Sequence, residues 1–439
     1  MLIHPANKET IRFILDRLKK NGFQAYIVGG AVRDFLLERT PDDVDILTNA
    51  SINEIELIFF DQKIKPIGKA FPICMVNGIE ISSGRTRFDI ANFPESDLAK
   101  RDFTLNAMAY DPFLKKIIDP FNGRKDIHDR VIRFTKDPEK RIQEDPVRMV
   151  RACRFVAMMD GSLSLSTLDA VLGSRNLLDG AVAKERIRHE IYKALFLKKP
   201  SLFFKTLQKT GLLSKIFPSL DRCNNLDGGP HHGETVFDHC LLVGDALSPA
   251  LPMLRLAGFL HDAGKFDAAK IEENSLTFAG HETYTRDVIY DLTTLRFSVK
   301  EITYIAAVIQ THMRPLTDQT TPKAARRLLS MLDKAGLDYK DFMRMRIADK
   351  KGNLAKKPYT LSEIRIRLKK LFNEMDRQPG FNMNHLEITG NDIIRILGIP
   401  PGPDIGKMKK KLFEKVLDDP ELNNYFDLKN LCRSLQTKK

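Results

Sequence analysis

The sequence predicts an α+β protein: a mixed strand-and-helix domain first, then a chain that is almost entirely helical. Three observations predict it. Short apolar runs alternate with helical periodicity over the first ~110 residues. Asn77-Gly78 separates the apolar runs Ile73–Val76 and 79–81, a strong two-residue hairpin signal. Beyond Asp137-Pro138 the strand signals fade, and from Glu139 apolar residues recur at helical spacing. The 439 residues are 43% hydrophobic, enough for several cores and for two to four domains on the usual size scale.

The composition narrows the functional classes. Lys and Arg number 70 against 57 Asp and Glu, a net charge of +13. A polyanion, RNA or DNA first, is the partner such a surplus suits. The apolar content argues against a disordered chain. No run approaches the ~20 apolar residues that span a bilayer, and MLIHPANKETIRF lacks the pattern of a signal peptide. Cys74, Cys153, Cys223, Cys240 and Cys432 are scattered. That spacing suits a reducing cytoplasm and argues against a cysteine-based zinc site.

Taken in order, 11–20 is a helix with Ile11, Ile14, Leu15 and Leu18 on one face, ended by Asn21-Gly22. Ala25–Val28 is a strand broken by Gly29-Gly30, and 31–37 is a helix. A second strand at 44–47 follows the turn residues Pro41-Asp42. The spacing predicts a single basic-faced helix over 141–159. Pro200, Gly211, Pro218 and Gly228-Gly229-Pro230 punctuate later helices, and Lys350-Lys351-Gly352-Asn353 marks a joint. A helix at 363–375 carries Arg365, Arg367, Lys369 and Lys370, and Lys407 and Lys409 to Lys411 follow near the end. These basic residues are expected to grip RNA phosphates, a solvated helix face being the plain alternative.

Two constellations carry chemistry. The first is Gly29-Gly30-Ala31-Val32-Arg33-Asp34, followed by Asp43-Val44-Asp45. A glycine pair between strand and helix lets backbone N–H groups approach a phosphate. Alternation along a strand puts Asp43 and Asp45 on one face, two hard oxygen ligands suited to Mg²⁺. Solvated turn aspartates are the alternative, disfavoured by the glycine-arginine element just upstream. Farther on, helical spacing aligns Asp145, Arg148 and Arg151, with Arg154 one turn later. A carboxylate beside a guanidinium fork can pair with a base edge; intrahelical ion pairs are the other reading.

The second constellation is His239, His261, Asp262, His281, His312 and Asp349, spread over a helical stretch. Brought together, they would form a mono- or dinuclear divalent-metal site.

Four ordered segments resemble the polymerase-β-type nucleotidyltransferases, in the branch of class II tRNA nucleotidyltransferases and bacterial poly(A) polymerases. They are the stretch from Gly29 to Asp45, Lys100-Arg101-Asp102-Phe103-Thr104-Leu105-Asn106-Ala107, Asp119-Pro120-Phe121-Asn122-Gly123-Arg124, and Glu144-Asp145-Pro146-Val147-Arg148 onward to Phe155. Ala183-Lys184-Glu185-Arg186-Ile187 is similar to a further element. The resemblance implies a catalytic head over 1–137, a helical neck over 138–200, a helical body over 201–350 and a tRNA-binding tail over 351–439. It implies catalytic Asp43 and Asp45 with Mg²⁺, and nucleotide contacts from Gly29, Gly30, Arg33, Arg101, Asp102, Asp145, Arg148, Arg151 and Arg154. Arg33 would take the triphosphate, Arg101 and Asp102 the ribose, and Asp145 with Arg148 the base of CTP or ATP. Glu80 stands where a third carboxylate is expected, though it is also readable as an exposed strand residue. The expected reaction is addition of CCA, or part of it, to a tRNA 3′ end by a two-metal mechanism.

The sequence also departs from the family. Glu38 replaces a usual glycine, Lys100 an arginine, and the segment 84–89 looks shortened. CC-only addition and A-only or poly(A) addition therefore stand beside CCA. His261-Asp262 with Gly264-Lys265 resembles the HD phosphohydrolase superfamily over ~230–350. That resemblance implies an HD-type body with a second divalent metal, and an HD phosphohydrolase as a reading of another class.

Overall fold

A computed structural model describes residues 5–41, 43–67, 73–83, 92–180, 182–230, 232–273, 275–377 and 382–436. The segment 84–89, Asp42 and His231 lie outside them. The fold is α+β. It divides into two compact units, Met1–Lys215 and Ile216–Lys439.

Unit one opens with the helix Pro5–Lys20, which buries Ile11, Ile14, Leu15 and Leu18 as their spacing requires. Gly22 ends the turn at φ +84°. Seven strands form one sheet: β1 (Ala25–Val28), β2 (Asp45–Thr48), β3 (Ile64–Ile67), β4 (Ile73–Val76), β5 (Ile79–Ser83), β6 (Ala109–Asp111) and β7 (Lys116–Ile118). Their order is β3-β4-β5-β2-β1-β6-β7, with only the β2–β5 pair parallel. Asn77 and Gly78 both take positive φ, as a tight turn of mirror-image twist demands. The β2 register opposes Asp45 to Val28 on one side and to Glu80 on the other.

Two sequence expectations change. The expected helix over 141–159 is two helices, Pro138–Glu144 and Val147–Met159. Pro146 lacks an N–H and pushes the residue before it out of helical space, so Asp145 is extended at φ −159°, ψ 93°. Strand pairing also persists past Pro138: Val131–Ile132 pairs with Ser162–Leu163, and Lys270–Glu272 with Ser275–Thr277.

Unit two is helical apart from the latter hairpin. The helices Val236–Ala246, Pro252–Leu260, Val299–Thr311 and Tyr339–Gly352 pack around Phe259, Leu260, Ile305 and Met345. A separate cluster built on Ile388, Ile393, Leu412, Val416 and Leu428 holds the C-terminal helices together. The basic helix is Leu361–Arg377; there Arg367 donates to the Leu316 and Glu363 carbonyls and Lys370 to Thr320, so both have structural work. Arg365 and Lys369 are exposed.

Gly123 has no room for a side chain, because an added Cβ would collide with the Thr104 carbonyl. Gly123→Ala is expected to lose about 1–3 kcal/mol in urea unfolding of the whole chain, the usual cost of overpacking. Unchanged stability would show that the loop at Thr104 yields freely.

Candidate functional site

A cavity of about 850 Å³ opens in unit one. Every head and neck residue expected to be catalytic or to contact nucleotide lines it, except Glu80. Asp45 begins β2 and Asp43 precedes the strand, so the two reach one cavity from a loop–strand junction and not from strand alternation. Burial raises the Asp45 pKa and the Asp43 charge adds to it, against the pull of Arg101. Glu80 is half-buried beside Asp45; burial and then the Asp45 charge raise its pKa as well. It is therefore not an isolated exposed strand residue. The carboxylates of Asp43, Asp45 and Glu80 offer the hard oxygen donors that suit divalent cations.

Gly29 precedes the helix Gly30–Leu36 at φ +71°. A Cβ there would lie 2.6 Å from Arg101 Nη1 and 3.7 Å from Asp45 Oδ2. The positive φ favours glycine here, and a Cβ would also oblige the Arg101 guanidinium to shift.

The cationic wall is organised by buried acids. Asp102 Oδ2 accepts from Arg151 Nε and Nη2 at 2.9 and 2.7 Å, while Oδ1 accepts from the Phe103 amide and from Asn106 Nδ2. Burial alone would raise the Asp102 pKa; Arg151 and these hydrogen bonds hold it below the usual carboxylate value. Arg151 Nη1 also donates to Glu190 at 3.4 Å, and Arg154 Nε donates to the other oxygen of the same buried carboxylate. Burial lowers the Arg154 pKa and Glu190 opposes that. Arg33 donates to Asn106 Oδ1 at 2.7 Å and to both Asp34 oxygens.

Asp145 and Arg148 both line the cavity; the Arg148 amide donates to the Asp145 carbonyl, but their side chains turn to other partners. Asp145 accepts a two-pronged bond from Arg186 at 2.9 and 2.7 Å. Arg148 donates to the Arg141 carbonyl and to Glu144. The sequence argument placed Asp145 on a helical face; the Pro146 break removes it from that face and turns it toward Arg186. Glu190, Arg186 and Asn106 were missed as participants. Asn106 lay inside a quoted segment. Glu190 had one signal, its place one turn beyond Arg186 on the helix Lys184–Leu195.

In unit two all six residues of the second constellation meet. Asp262 Oδ1 lies 2.9 Å from His281 Nε2 and 3.5 Å from His312 Nε2, and Oδ2 lies 3.3 Å from His261 Nε2. His239 Nε2 lies 3.1 Å from Asp349 Oδ1. His261, His281 and His312 direct Nδ1 to the carbonyls of Gly258, Phe278 and Ile309. An Nδ1–H donated in this way leaves each Nε2 with a lone pair. His281 and His312 Nε2 are only 3.3 Å apart, and His261 Nε2 is buried without a hydrogen bond of acceptable geometry. Converging lone pairs and an orphaned ring nitrogen fit a bound cation. His232 and Glu234 extend the group and were not picked out, although His231-His232 adjoined it: Glu234 Oε1 lies 2.9 Å from His232 Nδ1 and 3.2 Å from His239 Nδ1. Lys265 Nζ lies 2.8 Å from Asp262 Oδ2. A cavity of about 640 Å³ adjoins the cluster, lined in part by Lys265, Arg346 and Lys350.

A carboxylate pair at the start of the central strand β2, a glycine turn and an arginine wall define a nucleotidyltransferase type of head. The family model described as "Poly A polymerase head domain" matches residues 25–133, and the one described as "Probable RNA and SrmB- binding site of polymerase A" matches 166–224. The chain is 36% identical to a CCA-adding enzyme of Bacillus licheniformis over 47% of its own length and 55% of that protein. It is 39% identical to a CC-adding tRNA nucleotidyltransferase of Halalkalibacterium halodurans over 45% of its own length and 52% of that protein. The chain thus spans about half the length of these curated relatives. The structure of the Bacillus stearothermophilus CCA-adding enzyme in complex with CTP superimposes with a TM-score of 0.70 at 25% identity, over 99% of this chain and 98% of that one. Residues 25–133 thus match a poly(A) polymerase head domain, and the chain is similar over nearly its whole length to the structure of a CCA-adding enzyme.

Glu190→Gln would leave Arg151 and Arg154 short of a buried counter-charge. It is expected to destabilise unit one by about 3 kcal/mol in denaturant unfolding, the typical cost of breaking a buried pair from one side. Wild-type stability would mean that the two arginines are held by other partners.

Proposed function

We propose that the chain is a template-independent RNA nucleotidyltransferase that adds CCA, or part of it, to the 3′ end of tRNA from CTP and ATP. The observation that carries this reading is one cavity in which Asp43 and Asp45 face a wall of arginines. The relatives' names support the tRNA end as substrate. The division into head (1–137), neck (138–200), body (201–350) and tail (351–439) belongs to the same proposal. Five buried, free cysteines suit a cytoplasmic protein, and among the described residues no helix is long and apolar enough to cross a membrane.

In the proposed reaction the RNA 3′-hydroxyl attacks the α-phosphorus of the bound nucleotide. The new phosphodiester bond forms as the bond to the β-phosphate oxygen breaks, and pyrophosphate leaves. Mg²⁺ held by Asp43 and Asp45, with Glu80 beside them, would supply hydroxyl activation and charge neutralisation. Arg33 and the Gly29-Gly30 turn take the triphosphate. Arg101 and Asp102 face the ribose, with Asp102 fixed by Arg151 and Asn106. Asp145 keeps lone pairs outside the Arg186 fork and can accept a base amino group while Arg148 donates to the same edge. Arg151 and Arg154 set the charge of the wall. The remaining contribution is orientation, as in other phosphoryl transfers.

A tRNA transcript lacking CCA, incubated with labelled CTP or ATP, tests this reading. Two C residues and then A are expected. Incorporation of CTP alone would assign CC addition, the activity named for the Halalkalibacterium halodurans relative, and ATP runs would assign poly(A) addition. Asp43→Ala and Asp45→Ala are each expected to abolish incorporation with the fold intact by circular dichroism; normal addition by either variant would contradict the assignment.

A specific observation favours a second reading, for the body. The Nε2 lone pairs of His261, His281 and His312 converge around Asp262. We infer that these residues, with His239 and Asp349, hold one or two divalent metal ions in an HD-type site. Hydrolysis of a phosphomonoester or cyclic phosphate is the activity such a site would add. Elemental analysis of the purified chain is expected to find bound transition metal that His261→Ala loses; equal metal in the variant and the wild type would overturn this reading.

A further inference from the structure

Three histidines of the centre in unit two are oriented by the main chain. His261, His281 and His312 each direct Nδ1 to the carbonyl three residues earlier, at 2.9, 3.0 and 2.6 Å. His261 and His312 close their helices, where the last carbonyls lack helical donors. His239 cannot be held in that way. It lies in the first turn of the helix Val236–Ala246, and the carbonyl three residues earlier, that of Val236, serves the helix itself. Its Nδ1 instead faces Glu234 Oε1 at 3.2 Å, a contact bent away from hydrogen-bond alignment. On the other side of the ring, Nε2 lies 3.1 Å from Asp349 Oδ1 and 3.7 Å from Asp262 Oδ2.

Glu234 is buried and held at both oxygens. Oε2 accepts from the Gly233 and Leu354 amides at 3.0 and 3.1 Å, which fixes the carboxylate and leaves Oε1 for the imidazoles. Oε1 lies 2.9 Å from His232 Nδ1. A carboxylate oxygen only accepts, so the His232 ring carries its proton on Nδ1. The His232 Nε2 then keeps a lone pair toward Lys265 Nζ, 3.5 Å away. We propose that Glu234 is a positioning residue of this centre: it takes the Nδ1 proton of His239, as backbone carbonyls take those of His261, His281 and His312, so that His239 offers its Nε2 lone pair to a divalent cation. This rests on the metal-binding reading of the body and adds the residue that orients its fourth imidazole. A charged acceptor at Nδ1 also makes Nε2 the stronger donor to a metal. His232, Glu234 and His239 lie close enough to hold an ion among themselves. The two amides and two imidazoles that already face the carboxylate favour the positioning role.

The test uses Co²⁺ alone, titrated by calorimetry into the full chain after metal removal, with proton NMR of the loaded protein. Glu234→Gln has one carbonyl oxygen and cannot accept at both ends. It is expected to weaken Co²⁺ about 10- to 100-fold, with the number of ions bound unchanged and the fold intact by circular dichroism. In a His239→Ala background the same substitution is expected to cost nothing further, an outcome that general loosening of the structure would not give. The wild-type Co²⁺ protein is expected to show four shifted, exchangeable imidazole N–H signals, one of which Glu234→Gln loses. Equal affinity in Glu234→Gln and wild type would overturn the proposal. So would loss of one bound ion, which would make Glu234 a ligand, or an undiminished loss in the His239→Ala background. Only three such signals in the wild type would overturn it without any variant. If the wild-type chain binds no Co²⁺, the metal-binding reading itself falls.

Discussion

The fork between Arg151 and Asp102 is the interaction on which the large cavity of unit one depends. Asp102 belongs to the loop between β5 and β6, and Arg151 to the helix Val147–Met159, so one pair of hydrogen bonds joins sheet-side and helix-side walls. Both groups are largely withdrawn from water, and each would be costly there alone. The remaining bonds follow from satisfying them: Asn106 and the Phe103 amide fill the other Asp102 oxygen, Glu190 takes the rest of Arg151, and Arg154 shares Glu190. The cost of burying these charges is offset only if the network is complete. Its members are therefore fixed as a set.

Backbone constraints place the other groups. Gly29 lets the turn before the helix Gly30–Leu36 close on Arg101 and Asp45. Gly123 lets the helix Gly123–His128 pack on the Thr104 carbonyl, behind Asn106. Pro146 breaks what would otherwise be one helix and frees Asp145 to meet Arg186. Glu38 holds a left-handed conformation at φ 56°, which explains physically why a family with this turn prefers glycine there. In unit two a different logic applies: four helices and the short turn His281–Thr283 bring the six side chains together, and backbone carbonyls fix three of the histidine rings.

The head was largely legible in the sequence because its signals are local. The Asn77-Gly78 turn, the Gly29-Gly30 break and the helical spacing of Ile11, Ile14, Leu15 and Leu18 each act within a few residues, and all three appear as expected. The meeting of the six His and Asp residues of the body was also legible, since such residues are scarce enough in the sequence to stand out even when helices separate them. What was not legible depends on partners distant in sequence. Nothing local says that Glu190 will sit under Arg151 and Arg154, 39 and 36 residues away. The one-helix expectation for 141–159 failed because apolar periodicity continued across a proline whose local effect is stronger. Glu80 stayed open until the parallel register set it beside Asp45.

Asp102 and Arg151 act as one unit in shaping the cavity of unit one. A double-mutant cycle on CTP binding, with Asp102→Asn, Arg151→Gln and the double variant measured by calorimetry, tests this most directly. The account predicts that either single substitution weakens CTP binding about as much as the double. Losses that simply add would show that the two residues act independently, and would contradict it.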